Sequence, residues 1–296
     1  MSASANTQPL ASSYRGIFLY CTAVFLFVVM DSFAKYAATI YSPLQVVWAR
    51  YAFHMLLMVL ILGPTLRGKL VRTANLKLQV FRSMLLLGAT ICFFTALKYI
   101  PLADAGAMGS TAPLFVTVMS VLFLGEKVSF RRWTAVLVGF AGALIILRPG
   151  MSAVHPAMFL VLGMAVFYSS YQITTRKLAG VDPALTTLFY TALVGTVAMS
   201  FVLPSVWITP PDLEGWLLLG VIGLIGGVSH FIIILAFSYS TASNVAPFSY
   251  TQLIWTAVFG FAIFGDFPDG YTILGAIIIV GSGLYILYRE RVRHSH

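Results

Sequence analysis

Ten apolar segments, each close to the ~20 residues a helix needs to cross hydrocarbon, follow one another through this 296-residue chain with short polar connections. They run approximately from Gly16 to Ile40, Pro43 to Gly63, Leu78 to Lys98, Leu102 to Leu124, Phe130 to Leu147, Pro156 to Thr175, Pro183 to Leu203, Gly215 to Tyr239, Val245 to Gly265 and Tyr271 to Tyr288. No stretch is left for a water-soluble domain. Hydrophobic residues make up 59% of the chain and charged ones 9%, against about 25% charged in soluble domains, and the mean hydropathy is +0.92. The expected fold class is therefore an all-α integral membrane protein. This excludes a soluble enzyme and a nucleic-acid binder in spite of the net charge of +9. The first apolar run is longer than the core of a signal peptide and is expected to remain as an anchor. Cys21 and Cys92 lie inside apolar runs and suit neither a disulfide scaffold nor a metal site.

The basic residues report orientation. With the N-terminus in the cytoplasm, fourteen of the eighteen Lys and Arg fall on the cytoplasmic side, Arg82 among them. Lys35, Lys98 and Arg148 fall on the other side, Arg50 lies within a span, and both termini are expected to be cytoplasmic.

Displacing the sequence on itself by 140 residues aligns Ala96–Leu147 with Ala236–Leu287 without a gap, pairing Tyr99 with Tyr239, Thr111 with Thr251 and Gly125 with Gly265. Glu126 then meets Asp266, and the same offset pairs Pro43 with Pro183. The expected organisation is a cytoplasmic tail (1–15), a five-helix repeat (16–150), a second repeat (151–288) and a second cytoplasmic tail (289–296). Five crossings is an odd number, so the second copy must enter the membrane inverted. The charges agree, because GEKVSFRR after the fourth segment becomes GDFPDGY after the ninth, stripped of Lys and Arg. Inverted repeats with a midplane site between them are a design of secondary transporters.

Several stretches resemble the drug/metabolite transporter superfamily, specifically its EamA-type members: PLQVVWAR (43–50), LKYIPLADA (97–105), LFLGE (122–126) and GFAGALIIL (139–147). The resemblance covers almost the whole chain. It is weaker in the second half, where Ser243, Asn244 and Val245 stand opposite Ala103, Asp104 and Ala105. Within the superfamily the chain looks most like YddG-type amino-acid exporters. The resemblance implies a multi-pass inner-membrane protein that exports small metabolites, foremost amino acids including aromatic and hydrophobic ones, by alternating access. A monomer suffices for this fold, and membrane lipid surrounds it.

Ionisable groups inside a span are costly and therefore informative. Arg50 and His54 share one helical face, where Arg50 either binds a substrate carboxylate or pairs with Asp31, or both belong to a structural network. Asp31 and Lys35 have the same spacing and are expected to form an ion pair, with Asp31 a candidate for coupling. His230 lies beside Gly226 and Gly227 as a cavity residue, a proton acceptor or a satisfied interhelical donor. Asp104, Glu126 and Asp266 read as structural residues at helix ends. The fourth and ninth segments are interrupted at Pro113 and Pro247, and paired interruptions point to a transport site. Ser110, Thr111, Asn244, Ser249, Tyr250, Gln252 and Trp255 surround these breaks. Phe167, Tyr168, Tyr171, Thr95, Tyr99 and Tyr239 add to an expected cavity that is mostly apolar, with a few polar groups.

Nucleosides or cationic drugs are alternative cargo for the same fold. An intramembrane enzyme would need paired carboxylates, a Ser/His arrangement or a metal cluster, and a channel a continuous polar lining; the sequence shows neither. It shows no ATP-binding loop, and no cofactor is expected.

Overall fold

The computed structural model describes residues 10–125, 129–148, 155–178, 181–240 and 245–294. Every regular element among them is helical. Lipid offers backbone groups no hydrogen-bonding partner, so apolar segments of this length satisfy their N–H and C=O groups internally. The helices are α1 (Leu10–Ile40), α2 (Pro43–Leu66), α3 (Leu76–Leu97), α4 (Leu102–Gly109), α5 (Ala112–Leu124) and α6 (Phe130–Leu147). They continue as α7 (Met158–Leu178), α8 (Ala184–Val202), α9 (Leu213–Tyr239), α10 (Gln252–Phe264) and α11 (Gly270–His294). Helix lies on each of the ten expected segments. Among the described residues, seven helical segments are long and apolar enough to cross a membrane on their own; Trp133–Leu147, Phe248–Phe264 and Gly270–Ile286 are shorter.

Local chemistry fixes the ends. The Asn75 and Asp212 side chains accept from the N–H groups of Leu78 and Gly215, capping α3 and α9. α5 and α10 both end on glycines with positive φ, Gly125 at 66° and Gly265 at 73°, the conformation glycine adopts without steric cost. These glycines are 140 residues apart, as are the first residues of α5 and α10. The fourth segment breaks at Ser110–Thr111, with Pro113 in the first turn of α5. In the ninth, Pro247 opens a 3-10 turn (Ala246–Thr251) ahead of α10.

Glycines set the close crossings. α1 and α9 run antiparallel along their length: Gly16 lies on Ser240, Gly226 on Met30 and Gly215 on Tyr41. α3 and α7 pair in the same way, with Gly88 on Phe167 and Gly163 near Cys92. Antiparallel crossings also join α2 to α8 (Tyr51 on Gly195), α4 to α10 (Gly106 on Thr256) and α6 to α11 (Gly142 on Gly275). Without a hydrophobic drive between helices in lipid, small residues that let backbones approach supply much of this packing.

The largest buried apolar cluster gathers at one end of the bundle, from Ala34, Ala37 and Tyr41 of α1 to Leu102, Ala105 and Met108 of α4. At that end Arg148 forms an ion pair with Asp269. Asp269 also accepts from the Thr272 N–H. Burial pushes its carboxyl up, but these donors outweigh it and hold the group below the usual carboxylate range. At the opposite end Asp182 receives the Ala74 N–H (2.9 Å), the Thr73 hydroxyl and the Gln79 amide (2.8 Å), tying the α2–α3 loop to the α7–α8 loop. There too burial raises the carboxyl's pKa while the three donors bring it below the ordinary range.

Candidate functional site

Between these two ends, α1, α2, α3, α7 and α9 enclose a polar cluster built on Arg50. Its Nη1 donates to Thr90 Oγ1 at 2.6 Å and, at 3.4 Å, to the Tyr51 hydroxyl, which itself shares a 2.8 Å bond with Thr90. Its Nη2 lies 3.4 Å from His230 Nε2. Arginine only donates, so this contact requires the His230 tautomer with its proton on Nδ1. The guanidinium also lies over the rings of Tyr51 (5.2 Å) and Phe94 (5.7 Å), which places the charge against aromatic faces. His230 is stacked at 5.9 Å on His54 and packs edge-on against Phe27 at 4.9 Å. Gly226 and Gly227 make room for this: a Cβ on Gly227 would come within 2.9 Å of the His54 ring, and one on Gly226 would meet Met30. Thr90 and His230 are 140 residues apart, the offset at which the sequence aligns on itself, and one guanidinium contacts both.

Asp31 lies within the electrostatic field of Arg50 and accepts no hydrogen bond from a described residue. The expected Asp31–Lys35 pair is not formed. Lys35 instead donates to the carbonyls of Leu97 (3.1 Å) and Ile100 (2.7 Å). The last carbonyls of a helix are unsatisfied and carry the negative end of its dipole, so they compete successfully for the ammonium. Nor is there a direct Asp31–Arg50 contact, since among the described residues the one ion pair is Arg148–Asp269.

Asp31 and His230 are half-buried and Tyr168 is 38% exposed, so each retains accessible surface beside the cluster. Tyr171 stacks on Tyr168 at 5.8 Å, and Phe167 lies on Gly88 of α3.

A second buried guanidinium, Arg82, sits between this cluster and Asp182. It donates to Thr175 Oγ1 (2.7 Å), the Thr187 carbonyl (3.1 Å), Thr191 Oγ1 (3.0 Å) and the Tyr171 hydroxyl (2.8 Å). Arg82, expected among the charges of the cytoplasmic side, is 2% exposed. Tyr51 and Thr90, which hold Arg50, carry no mark of that role in their own local sequence. The 140-residue offset that pairs Thr90 with His230 was the available signal for Thr90.

The remaining candidates fall elsewhere. Ser110 and Gln252 meet at 3.4 Å where α4 crosses α10, and the Thr111 hydroxyl is returned to the Met108 carbonyl. Trp255 packs on Phe25 (4.9 Å) beside Phe259, apart from Phe27 and His230. Tyr250 is buried against Gly283 with an unpartnered hydroxyl, while Ser249 and Thr95 are half-buried. Tyr99 is 51% exposed and stacks on His155 at the end of α3, which removes it from the cavity, and Tyr239 lies half-buried at the end of α9. Asp104 accepts from the Thr272 hydroxyl at 2.8 Å, and the Asp266 N–H closes the α10 terminus on Gly260. Asn244 and Glu126 lie outside the described residues.

A polar and aromatic core inside a bundle of apolar helices is the construction of a membrane transporter, and the described cluster lacks the paired acids or activated nucleophile of an enzyme. The EamA-like transporter family matches residues 14–148 and again 155–288, and the chain belongs to that family. It is thus a small-molecule membrane transporter. Its similarity extends to the S-adenosylmethionine uptake transporter of Rickettsia prowazekii, 29% identical over 95% of both chains. The riboflavin transporter of Vibrio cholerae is 32% identical over 93% of this chain and 94% of its own. The pseudopaline exporter of Pseudomonas aeruginosa is 29% identical over 90% and 93%. A solved crystal structure shares the fold with a TM-score of 0.62 and 20% identity, over 95% of this chain and 98% of its own. These relatives do not single out the YddG-type exporters within the family.

Proposed function

We propose that the chain is a secondary transporter of the bacterial inner membrane that exports small metabolites, amino acids foremost, by alternating access around the Arg50 cluster. Ten crossings in two inverted five-helix halves, with both termini cytoplasmic, form the frame. The observation that carries this reading is the way corresponding helices meet. α2 and α8, and α6 and α11, occupy matching places in the two halves, as do the fourth and ninth segments, which meet through α4 and α10, and each pair crosses antiparallel. The α1–α9 pair has its counterpart in α7–α3. A two-fold axis in the membrane plane relates elements in this manner. Arg50, bound to Thr90 and His230 at matching positions, lies where the halves meet. Arg50 reads a carboxylate, and the aromatic walls accept varied side chains by apolar contact. The names of the relatives favour a second group of cargo, larger solutes such as S-adenosylmethionine and riboflavin, over nucleosides and cationic drugs.

The test is counterflow in proteoliposomes loaded with unlabelled amino acids. Saturable exchange that falls at least 30-fold in Arg50→Gln supports the reading. Exchange of riboflavin or S-adenosylmethionine alone would retain the transporter and replace its cargo.

A further inference from the structure

The two intramembrane guanidinium groups differ in how they are satisfied. Arg82 spends four of its five donors on neutral oxygens. Arg50 makes one short bond and two long ones, which leaves its Nε–H and one Nη2–H without an acceptor among the described residues. Its Nε is not among the unpartnered polar atoms that are sealed from solvent, unlike His54 Nε2. Asp31 presents the complementary deficit: a carboxylate with accessible surface and no hydrogen-bond donor. Arg50 is the charged group that acts on Asp31, while His230 stacks on His54 and Lys35, one turn along the same helix, is engaged by the α3 carbonyls. Opposite charges attract strongly in a medium of low polarity, yet Arg50 and Asp31 form no ion pair, although Phe27, one turn before Asp31, packs on the His230 ring that Arg50 contacts, and Met30 and Arg50 both lie against Gly226.

We infer that Arg50 and Asp31 together read the carboxylate and the ammonium of an amino-acid head group, with the substrate closing the gap between them. This rests on the proposed transport of amino acids and names the feature of the cargo that is recognised. A carboxylate takes the free fork of Arg50 in charge-assisted bonds, and the ammonium supplies the donors that Asp31 lacks. The side chain is left to Phe27 and Tyr168, whose apolar surfaces discriminate weakly.

The test uses labelled phenylalanine in counterflow, competed by unlabelled phenylalanine, by phenylpropionate, which lacks the ammonium, and by phenethylamine, which lacks the carboxylate. The wild-type protein is expected to prefer phenylalanine at least 30-fold over either analogue. Asp31→Asn should lose the preference over phenylpropionate while keeping that over phenethylamine, and Arg50→Gln should do the reverse. Asp31→Glu, which keeps the carboxylate, retains the wild-type order. Should Asp31→Asn fail to fold, the wild-type and Asp31→Glu competition profiles decide. Equal competition by phenylpropionate and phenylalanine in the wild-type protein overturns the inference. Saturable exchange confined to solutes without an amino-acid head overturns it and leaves the transporter standing, whereas no saturable exchange of any solute overturns both.

Discussion

Arg82→Gln and Arg50→Gln form a pair whose energetic consequences should differ sharply. Arg82→Gln removes four interhelical hydrogen bonds from α3, two to α7 and two to α8. Such bonds average about 0.6 kcal/mol in membrane proteins, so the set amounts to about 2.4 kcal/mol. The glutamine amide, with two donors on a shorter stem, recovers only part of it. Arg50→Gln removes a single short bond, to Thr90, worth about 0.6 kcal/mol on the same scale. It also removes a buried charge that forms no ion pair among the described residues, so the desolvation cost recovered offsets the lost attraction to Asp31. The expected order is thus a loss of about 2 kcal/mol for Arg82→Gln and a change near zero for Arg50→Gln. Reversible unfolding in mixed micelles, followed through the tryptophans during a detergent titration, measures both. An Arg50→Gln loss as large as that of Arg82→Gln would refute the distinction between a saturated structural guanidinium and a ligand-facing one.

Other outcomes follow from the same geometry. A Cβ at position 283 would lie 1.7 Å from the Tyr250 hydroxyl, so Gly283→Ala should lower the melting temperature and Tyr250→Phe should restore part of the loss. Tyr250→Phe alone should be neutral or stabilising, because that hydroxyl is buried without a partner. Gly125→Ala and Gly265→Ala should each cost about 1 kcal/mol through positive φ, a cost that unfolding titrations would detect. The Asp182 clasp should respond to acid. Its folded pKa lies below the unfolded value of about 3.9, so its stabilisation is complete above that value and is lost as pH falls through the folded one. Asp182→Asn should weaken that acid sensitivity in a melting-temperature profile against pH.

The apolar spacing revealed where helices lie because length and hydropathy are local properties of a membrane segment. The break at Ser110 was legible from Pro113 for the same reason, as were the matched ends at Gly125 and Gly265. Pair contacts were not. Arg82 follows a basic loop by only a few residues, and what marks it as buried is a ring of oxygens from Thr175, Thr187, Thr191 and Tyr171, about 90 residues or more away in sequence. Lys35 shows the limit of spacing arguments: Asp31 is one turn away on the same helix, yet the unsatisfied carbonyls of another helix win the ammonium. Trp255 belongs to the correct helix pair but faces Phe25, and only the rotation of α1 decides that.

The central claim is that the space around Arg50 carries solute across the membrane. Counterflow of a labelled amino acid into liposomes containing the purified protein tests it most directly, with Arg50→Gln beside the wild-type protein at equal folded amounts. The account predicts saturable, concentrative exchange in the wild-type protein and at least a 30-fold loss in Arg50→Gln, whose stability is unchanged. Equal exchange by the two proteins would contradict it and move the transport site away from Arg50.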